Sequence, residues 1–283
     1  MLVETIPFRS PEYPPQLRDL VEPPRTIWTL GDRTTLLQQP IVAIVGTRRA
    51  TSYGLRITHA LSSALARAGA CVVSGMALGI DGAAHRGALE ANGKTIAVLG
   101  TGVDVPYPRA HLGIYNEMVE KGLIVSELPP GAHSHGGSFP NRNRIIAALA
   151  RLVIIVEAPH KSGALHTAKY AMDAQRDLGV VPGPIDSPQS AGSNLLMRDG
   201  AHPITSIDDA ITLAGLMPQK KSGPSIDDPF ELRVWFALES GARSLDDLCA
   251  RTALPVAECL AAVTGLELRG AVECALTGEI RRR

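Results

Sequence analysis

Residues 41–73 read IVAIVGTRRATSYGLRITHALSSALARAGACVV, and the order of patterns within them decides the fold. Ile41 to Val45 is apolar without alternation, as a strand buried on both faces must be. The turn Gly46-Thr47-Arg48-Arg49 follows. Ile57, Leu61, Ala64, Leu65 and Ala68 then recur at helical spacing until Gly69 closes the run. A second unbroken apolar segment, Ala70 to Val73, comes next. Strand, helix and strand in this order form the repeating unit of a parallel sheet.

The same alternation continues outward. Apolar runs at 95–99 (TIAVL), 123–125 (LIV), 152–156 (LVIIV) and 178–181 (LGVV) are separated by helical patterns. The expected fold class is α/β, a parallel or mixed sheet with helices on both faces. Residues 1–40 are rich in proline and lack sustained periodicity. They are expected to form an extended arm or small cap on the core, ending in a short segment around Ile27-Trp28-Thr29-Leu30. The sheet domain is expected over 41–217.

Beyond a Lys/Ser/Gly/Pro-rich linker at 218–229, residues 230–283 form a separate pattern. Phe230, Val234 and Leu238 mark a helix closed by Gly241. Ser244-x-x-Asp247 resembles a capping box that opens a second helix. A third begins at Pro255, a favoured first helical position, and runs through Leu260, Val263 and Leu266 to Gly270. These three apolar residues are expected in the unit's own core. Ala271 to Ile280 alternates around Thr277-Gly278 and reads as a hairpin. Three helices and a hairpin describe a small winged-helix-like domain. Its third helix carries Glu258, Glu267 and Arg269, a poor set for meeting DNA phosphates.

Composition bounds the class. The 283 residues are 45% hydrophobic, 20% charged and 4% aromatic, as in a soluble globular protein without a broad aromatic platform. No signal peptide and no apolar run of membrane-spanning length is present, so a cytoplasmic protein is expected. Cys71, Cys249, Cys259 and Cys274 form no C-x-x-C pair and are expected as reduced thiols. Cys249 and Cys259 lack a further ligand at metal-binding spacing. Net charge is zero, which argues against a bulk nucleic-acid-binding surface but not against a focused cleft. Lys and Arg slightly outnumber Asp and Glu over 41–217, and the balance reverses over 227–283.

Chemistry collects where strands meet loops. Ligands of open α/β sheets bind outside the carboxyl ends of the strands. Those ends here carry Gly46-Thr47-Arg48-Arg49, Ser74 to Asp81, Gly100 to Asp104, and Glu157 followed by Lys161-Ser162-Gly163. Glycines let backbone N–H groups approach a phosphate, and Ser, Thr and Arg add donors. A single loop of this kind is common turn geometry; several on one edge point to a phosphate-bearing ligand. Ser138-Phe139-Pro140-Asn141-Arg142-Asn143-Arg144 leads into the helix pattern Ile145 to Ala150. That places an aromatic ring and two guanidinium groups at an expected helix N-terminus, where anions are favoured. An isolated Arg-x-Arg would otherwise be a solvated helix start.

Absent motifs narrow the reaction. There is no G-x-G-x-x-G fingerprint, no Walker A loop, no G-x-S-x-G elbow and no H-E-x-x-H. No catalytic constellation, metal site or cofactor is expected. Asp81 is expected to cap the helix beginning near Gly82, Glu157 to orient the arginines, and His85 to pack on its helix. His133-Ser134-His135 reads as a solvated loop.

The blocks G-T-R (46–48), S-G-M-A-L-G-I-D (74–81), A-V-L-G-T-G-V-D-V-P-Y-P (97–108), S-E-L-P-P-G (126–131), F-P-N-R-N-R-I-I-A (139–147), S-G-A-L-H-T-A (162–168), V-P-G (181–183) and N-L-L-M-R-D-G-A (194–201) closely resemble the DNA-processing protein A (DprA/Smf) family. The match covers roughly 13–210 with order and spacing kept. The resemblance implies an extended Rossmann-like domain that binds single-stranded DNA and protects it. It also implies assembly into homodimers or larger forms, and loading of the RecA recombinase in natural transformation and recombination. It assigns DNA contact to Gly46, Thr47, Arg48, Ser74, Gly75, Gly79, Asp81, Phe139, Arg142, Asn143, Arg144, Ser162 and Gly163.

The chain departs from the family at Gly136, where some members carry lysine, and at Arg109-Ala110-His111-Leu112, where an asparagine is usual. The N-terminal sterile-alpha-motif-like domain of some members is not expected, since about 40 residues precede the first strand. Two other readings stand beside this one. A phosphoribohydrolase-like nucleotide hydrolase of the same superfold would need P-G-G-x-G-T-x-x-E, and Pro182-Gly183-Pro184 has no such continuation. A protein-binding adaptor with a vestigial cleft would not need the Arg and Gly loops.

Overall fold

Apolar side chains alternate to the two faces of the strands, and this alternation organises the first unit. The computed structural model describes residues 2–218, 226–275 and 278–282, in two compact units divided after Pro218. Most of the expected linker, together with Thr277 and Arg283, lies outside the described residues.

The first unit holds nine strands: β1 (Glu4–Pro7), β2 (Thr26–Gly31), β3 (Ile41–Val45), β4 (Cys71–Ser74), β5 (Thr95–Leu99), β6 (Leu123–Ser126), β7 (Leu152–Ile155), β8 (Asp177–Val180) and β9 (His202–Pro203). Their order in the sheet is β1-β2-β6-β5-β4-β3-β7-β8-β9. The pairings from β6 across to β9 are parallel, and β2 and β1 add on antiparallel. The sheet is therefore mixed. Residues 1–40 do more than cap it: Ile27 to Leu30, expected as a short terminal segment, lies inside β2, which pairs with β6 from Trp28↔Ser126 to Gly31↔Leu123. Flanked by β1 and β6, β2 buries Ile27, Thr29 and Leu30 and leaves its other residues half-buried, which is why its apolar pattern in the sequence is short and interrupted.

Seven helices accompany the sheet: α1 (Ser52–Arg67), α2 (Ile80–Glu90), α3 (Leu112–Lys121), α4 (Ser138–Leu149), α5 (Gly163–Asp173), α6 (Ala191–Arg198) and α7 (Ile207–Leu213). Val42, Ile44, Val72 and Ile154 pack against α1, α2 and α7 through Leu61, Leu65, Ile80, Ala84 and Ile211. Ile41, Ala43, Val73 and Val153 face the other way, onto Ile145 to Leu149 of α4 and Ala164, Ala168 and Ala171 of α5. Each fully buried Ile, Leu or Val stabilises this arrangement by about 1.5–3 kcal/mol relative to exposure.

From β3 the chain winds to β4, β5 and β6 on one side, then crosses to β7 and β8 on the other. The carboxyl ends of β3 and β7 thus flank a topological switch point, where two loops diverge and leave a crevice.

The second unit has α8 (Pro229–Glu239), α9 (Leu245–Thr252), α10 (Val256–Leu268) and an antiparallel pair, β10 (Val272–Cys274) with β11 (Ile280–Arg282). This is a winged-helix domain. Asp228 caps α8 through Phe230 N and Glu231 N, and the Ser244 hydroxyl accepts from Asp247 N at 3.2 Å. Val234, Leu238, Val263 and Leu266 form the core, whereas Leu260 is exposed, against expectation. It shares that exposed side of α10 with Val256, one turn earlier. Glu231 is buried and ion-paired with Arg269 at 3.0 Å.

A candidate phosphate-binding cleft at the switch point

Helix α4 sets the floor of the crevice, and it begins earlier than the sequence suggested. It starts at Ser138 behind Gly137, whose φ of 95° turns the chain inward. Pro140 sits in the first turn, where no intrahelical donor is lost, so it does not delay the helix. Phe139 to Arg144 therefore lie within the first two turns, not ahead of them. Arg142 shares a face with Ile145, Ile146 and Leu149 at helical spacings of three, four and seven, and that face is buried.

The consequence for the two arginines is a correction. Arg142 is 5% exposed, and its Nη1 donates to Gly75 O at 2.6 Å and to Val98 O. Burial pulls its pKa down to about 10, opposed by the nearby Asp81 carboxylate, and it remains a cation at neutral pH. Arg144 is 7% exposed; it donates from Nε to Asn141 Oδ1 at 3.0 Å and from Nη2 to Glu127 Oε1. Neither is an open cation at a helix end.

The glycine loop above them is built around these groups. A Cβ on Gly75 would lie 2.3 Å from Arg142 Nη1, so only glycine lets the guanidinium pass. Gly75 N donates to Asp81 Oδ2 at 3.1 Å and Ala77 N does so at 3.4 Å. Asp81 therefore closes the loop ahead of its helix instead of capping it; the N-cap is Gly79, in the left-handed region at φ 78°. Burial raises the Asp81 pKa, while Arg142 and the two amides act in the other direction. Ser74 is fully buried and its hydroxyl donates to Ile44 O at 2.6 Å, away from any ligand.

Glu157 also takes a different role. It accepts from Thr51 N at 2.9 Å and from Thr51 Oγ1 at 2.5 Å, fixing the residue that caps α1 through Gly54 N. It does not orient the arginines. The Thr47 amide is likewise committed, donating to Glu157 O at 2.7 Å. His85 is fully buried: Thr95 Oγ1 donates to Val72 O, so it accepts from His85 Nδ1 at 2.8 Å. Burial depresses the His85 pKa to about 3 and keeps the ring neutral.

What remains open is a cleft of ≈ 320 Å³ at the switch point, lined by Gly46, Thr47, Arg48, Asp81, Phe139, Arg142, Asn143, Ser162 and Gly163 among others. Arg48 is exposed and its guanidinium lies 5.2 Å from the centroid of the Phe139 ring. Tyr107 packs 5.1 Å from the same ring. Asn143 Nδ2 donates to Gly163 O at 3.3 Å, and Ser162 caps α5 through Ala164 N. Nine of the expected residues thus line one cleft. Ser74 and Arg144 lie outside it, Gly75 borders a smaller neighbouring pocket, and Gly79 lines a separate groove.

Two further cations at this edge, Arg49 and Lys161, were within the quoted loops but not assigned a role. Their adjacency to Arg48 and Ser162 was the available signal. Among the described residues, no group of three or more His, Cys, Asp or Glu comes together as a metal site. No single helix there is long and apolar enough to cross a membrane.

Comparison with known proteins agrees with this architecture. The family model for DNA recombination-mediator protein A matches residues 4–215, and that for the DprA winged helix domain matches 218–275. A putative DNA processing protein DprA of Mycobacterium tuberculosis is 38% identical over 260 residues, covering 89% of this chain and 67% of the relative. The X-ray structure of DNA processing protein A from Streptococcus pneumoniae superposes with a TM-score of 0.71 at 37% identity, covering 74% of this chain and 73% of that one. DNA processing protein A from Helicobacter pylori, whose structure was determined for its single-stranded DNA binding mode, gives a TM-score of 0.69 at 35% identity. It covers 75% of this chain and 95% of that one.

Proposed function

The chain belongs to the DNA recombination-mediator protein A family, and from that premise we propose that it binds single-stranded DNA in the cleft at the β3–β7 switch point. The observation that carries this reading is the exposed Arg48 guanidinium set against the Phe139 ring at the cleft mouth. Arginine offers planar bidentate donors to a backbone phosphate. Phe139 offers a face on which an unstacked base can lie, with a geometry that tolerates any base. A duplex keeps its bases stacked on one another and cannot use such a platform. Arg49 and Lys161 add charge along the same edge, while Arg142, Asp81 and Gly75 hold the loop that shapes it.

On the family resemblance we further propose that the bound strand is protected and handed over to the RecA recombinase in transformation and recombination, and that the chain self-associates into dimers or larger forms. The reading is non-catalytic. The two carboxylates nearest the cleft each accept from backbone amides, and His85 is buried against Thr95. A nucleotide hydrolase would need one of them free as a base.

The test is a salt-dependent titration of single strands, duplexes and mononucleotides. Wild type is expected to prefer single strands. Arg48→Ala should weaken them by about tenfold or more and reduce the salt slope by about 0.7. Phe139→Ala should cost about 1–3 kcal/mol of binding with the slope unchanged. Wild-type binding by a folded Arg48→Ala protein, or nucleotide turnover that Glu157→Gln abolishes, would overturn the reading.

A further inference from the structure

Beside the cleft, the exposed surface of α1 and α2 forms a second concavity of ≈ 680 Å³. It shares Arg48 and Arg49 with the cleft and continues past them to Arg56, His59, Arg86 and His111. Ser52, Arg56 and His59 fall on one side of α1 at helical spacings of four and three, so the groove runs along a helix face. Arg86 comes from α2 and His111 from the turn before α3.

The state of these groups is informative. Arg48, Arg49, Arg56 and Arg86 have no carboxylate at ion-pair distance among the described residues. Arg56 instead rests against the Tyr53 ring, 5.7 Å from its centroid. The single carboxylate pairing in the groove is His59 Nε2 with Glu90 Oε2 at 2.7 Å. His111 Nδ1 donates to Met76 O at 2.9 Å, which leaves Nε2 without a hydrogen-bond partner among the described residues. Elsewhere in this unit Arg33 is neutralised by Glu4 and Glu12, Arg144 by Glu127 and Arg198 by Asp199. In a chain of zero net charge, four unpaired guanidinium groups around one concavity are a focused anion site.

We propose that this groove is a second DNA subsite, in which Arg56 and Arg86 take backbone phosphates of the strand held in the cleft, carried across by Arg48 and Arg49. The occupant is the sugar–phosphate backbone and not the bases, because the groove is lined by guanidinium groups with His59 and His111 and by no Phe, Tyr or Trp ring. The inference rests on the cleft reading. It adds a direction: the strand leaves the switch point over the N-terminal half of α1 and the middle of α2.

The experiment compares oligothymidylates of about four and about twenty nucleotides, lengths that bracket one binding site and an extended one. With Arg56→Ala/Arg86→Ala, the long strand should bind about tenfold or more weakly, with a salt slope smaller by about 1.4 for two lost phosphate contacts. The short strand should bind as to wild type, and Arg56→Lys/Arg86→Lys should restore most of the slope. Arg48→Ala should weaken both lengths. If Arg48→Ala acts on both and the double alanine variant on neither, the groove is not a DNA subsite and the cleft stands. If Arg48→Ala acts on neither, the cleft reading fails first. A double variant that loses short and long strands equally would also overturn the separate subsite.

Discussion

Two pairs of arginines sit on the same edge of this sheet and do opposite work. Arg48 and Arg49, in the turn after β3, are exposed and carry no carboxylate partner among the described residues. Arg142 and Arg144, inside α4, are buried and bonded to backbone carbonyls, an amide and a carboxylate. Residue type alone does not distinguish them. A guanidinium can offer charge to a ligand or spend its donors fixing the loop that shapes the site, and burial decides which.

The largest expected effect lies in the buried pair. Arg142→Ala removes a cation that spans Gly75 O and Val98 O beside the Asp81 carboxylate, leaving buried acceptors unpaired. Such losses cost about 3–5 kcal/mol. Thermal unfolding should shift down by roughly 6–20 °C for a unit of this size. Single-strand binding would fall only as the loop deforms. A variant with unchanged melting and a reduced salt slope would move Arg142 into the exposed class.

Acid titration probes the same buried layer. The His85 pKa is depressed to about 3 in the folded chain, against the ordinary imidazole value of 6.5. Between those values the unfolded chain binds more protons, so stability is present above the unfolded pKa and is lost as pH falls. The expected slope is about 1.4 kcal/mol per pH unit over that window. His85→Asn should flatten it, read by denaturant unfolding at a series of pH values. A slope unaffected by the substitution would place the acid sensitivity elsewhere.

The comparison is sharpened by Arg144→Ala. Its charge already meets Glu127, so removing it should leave the salt slope of single-strand binding within error while modestly lowering stability, by about 1–2 kcal/mol. A slope reduced like that of Arg48→Ala would show that the Glu127 pair opens for DNA. The smallest effect is expected from the winged-helix unit. Its third helix presents Glu258 and the apolar Val256 and Leu260, and Arg269 is tied to Glu231. Duplex phosphates would be repelled by such a face. Deleting residues 219–283 should change single-strand affinity by about twofold or less, with circular dichroism verifying the remaining fold. Tight duplex binding that disappears with the unit would contradict this.

Several features were legible in the chain. Unbroken apolar runs gave β3 to β8, and the quoted loops supplied nine residues of the cleft lining. The first strand escaped because β1 is a four-residue edge element with a single buried side chain, Ile6. The start of α4 escaped because Pro140 reads as an interruption unless it falls in the first turn. The groove residues Arg56 and Arg86 sit on solvent-facing helix positions, where a charged residue is ordinarily unremarkable. Their meaning arises from the neighbouring helix and the turn that carries His111.

The sequence by itself determined the α/β class, the parallel core and the edge at which the cleft lies. Each follows from local periodicity and from the order of strand, turn and helix. Only the tertiary structure decided which arginines are exposed at that edge and which are buried. Arg142 bonds partners 67 and 44 residues away, and Glu157 holds Thr51 from 106 residues away. Such contacts depend on helix register and sheet order together, and no window of local sequence contains both.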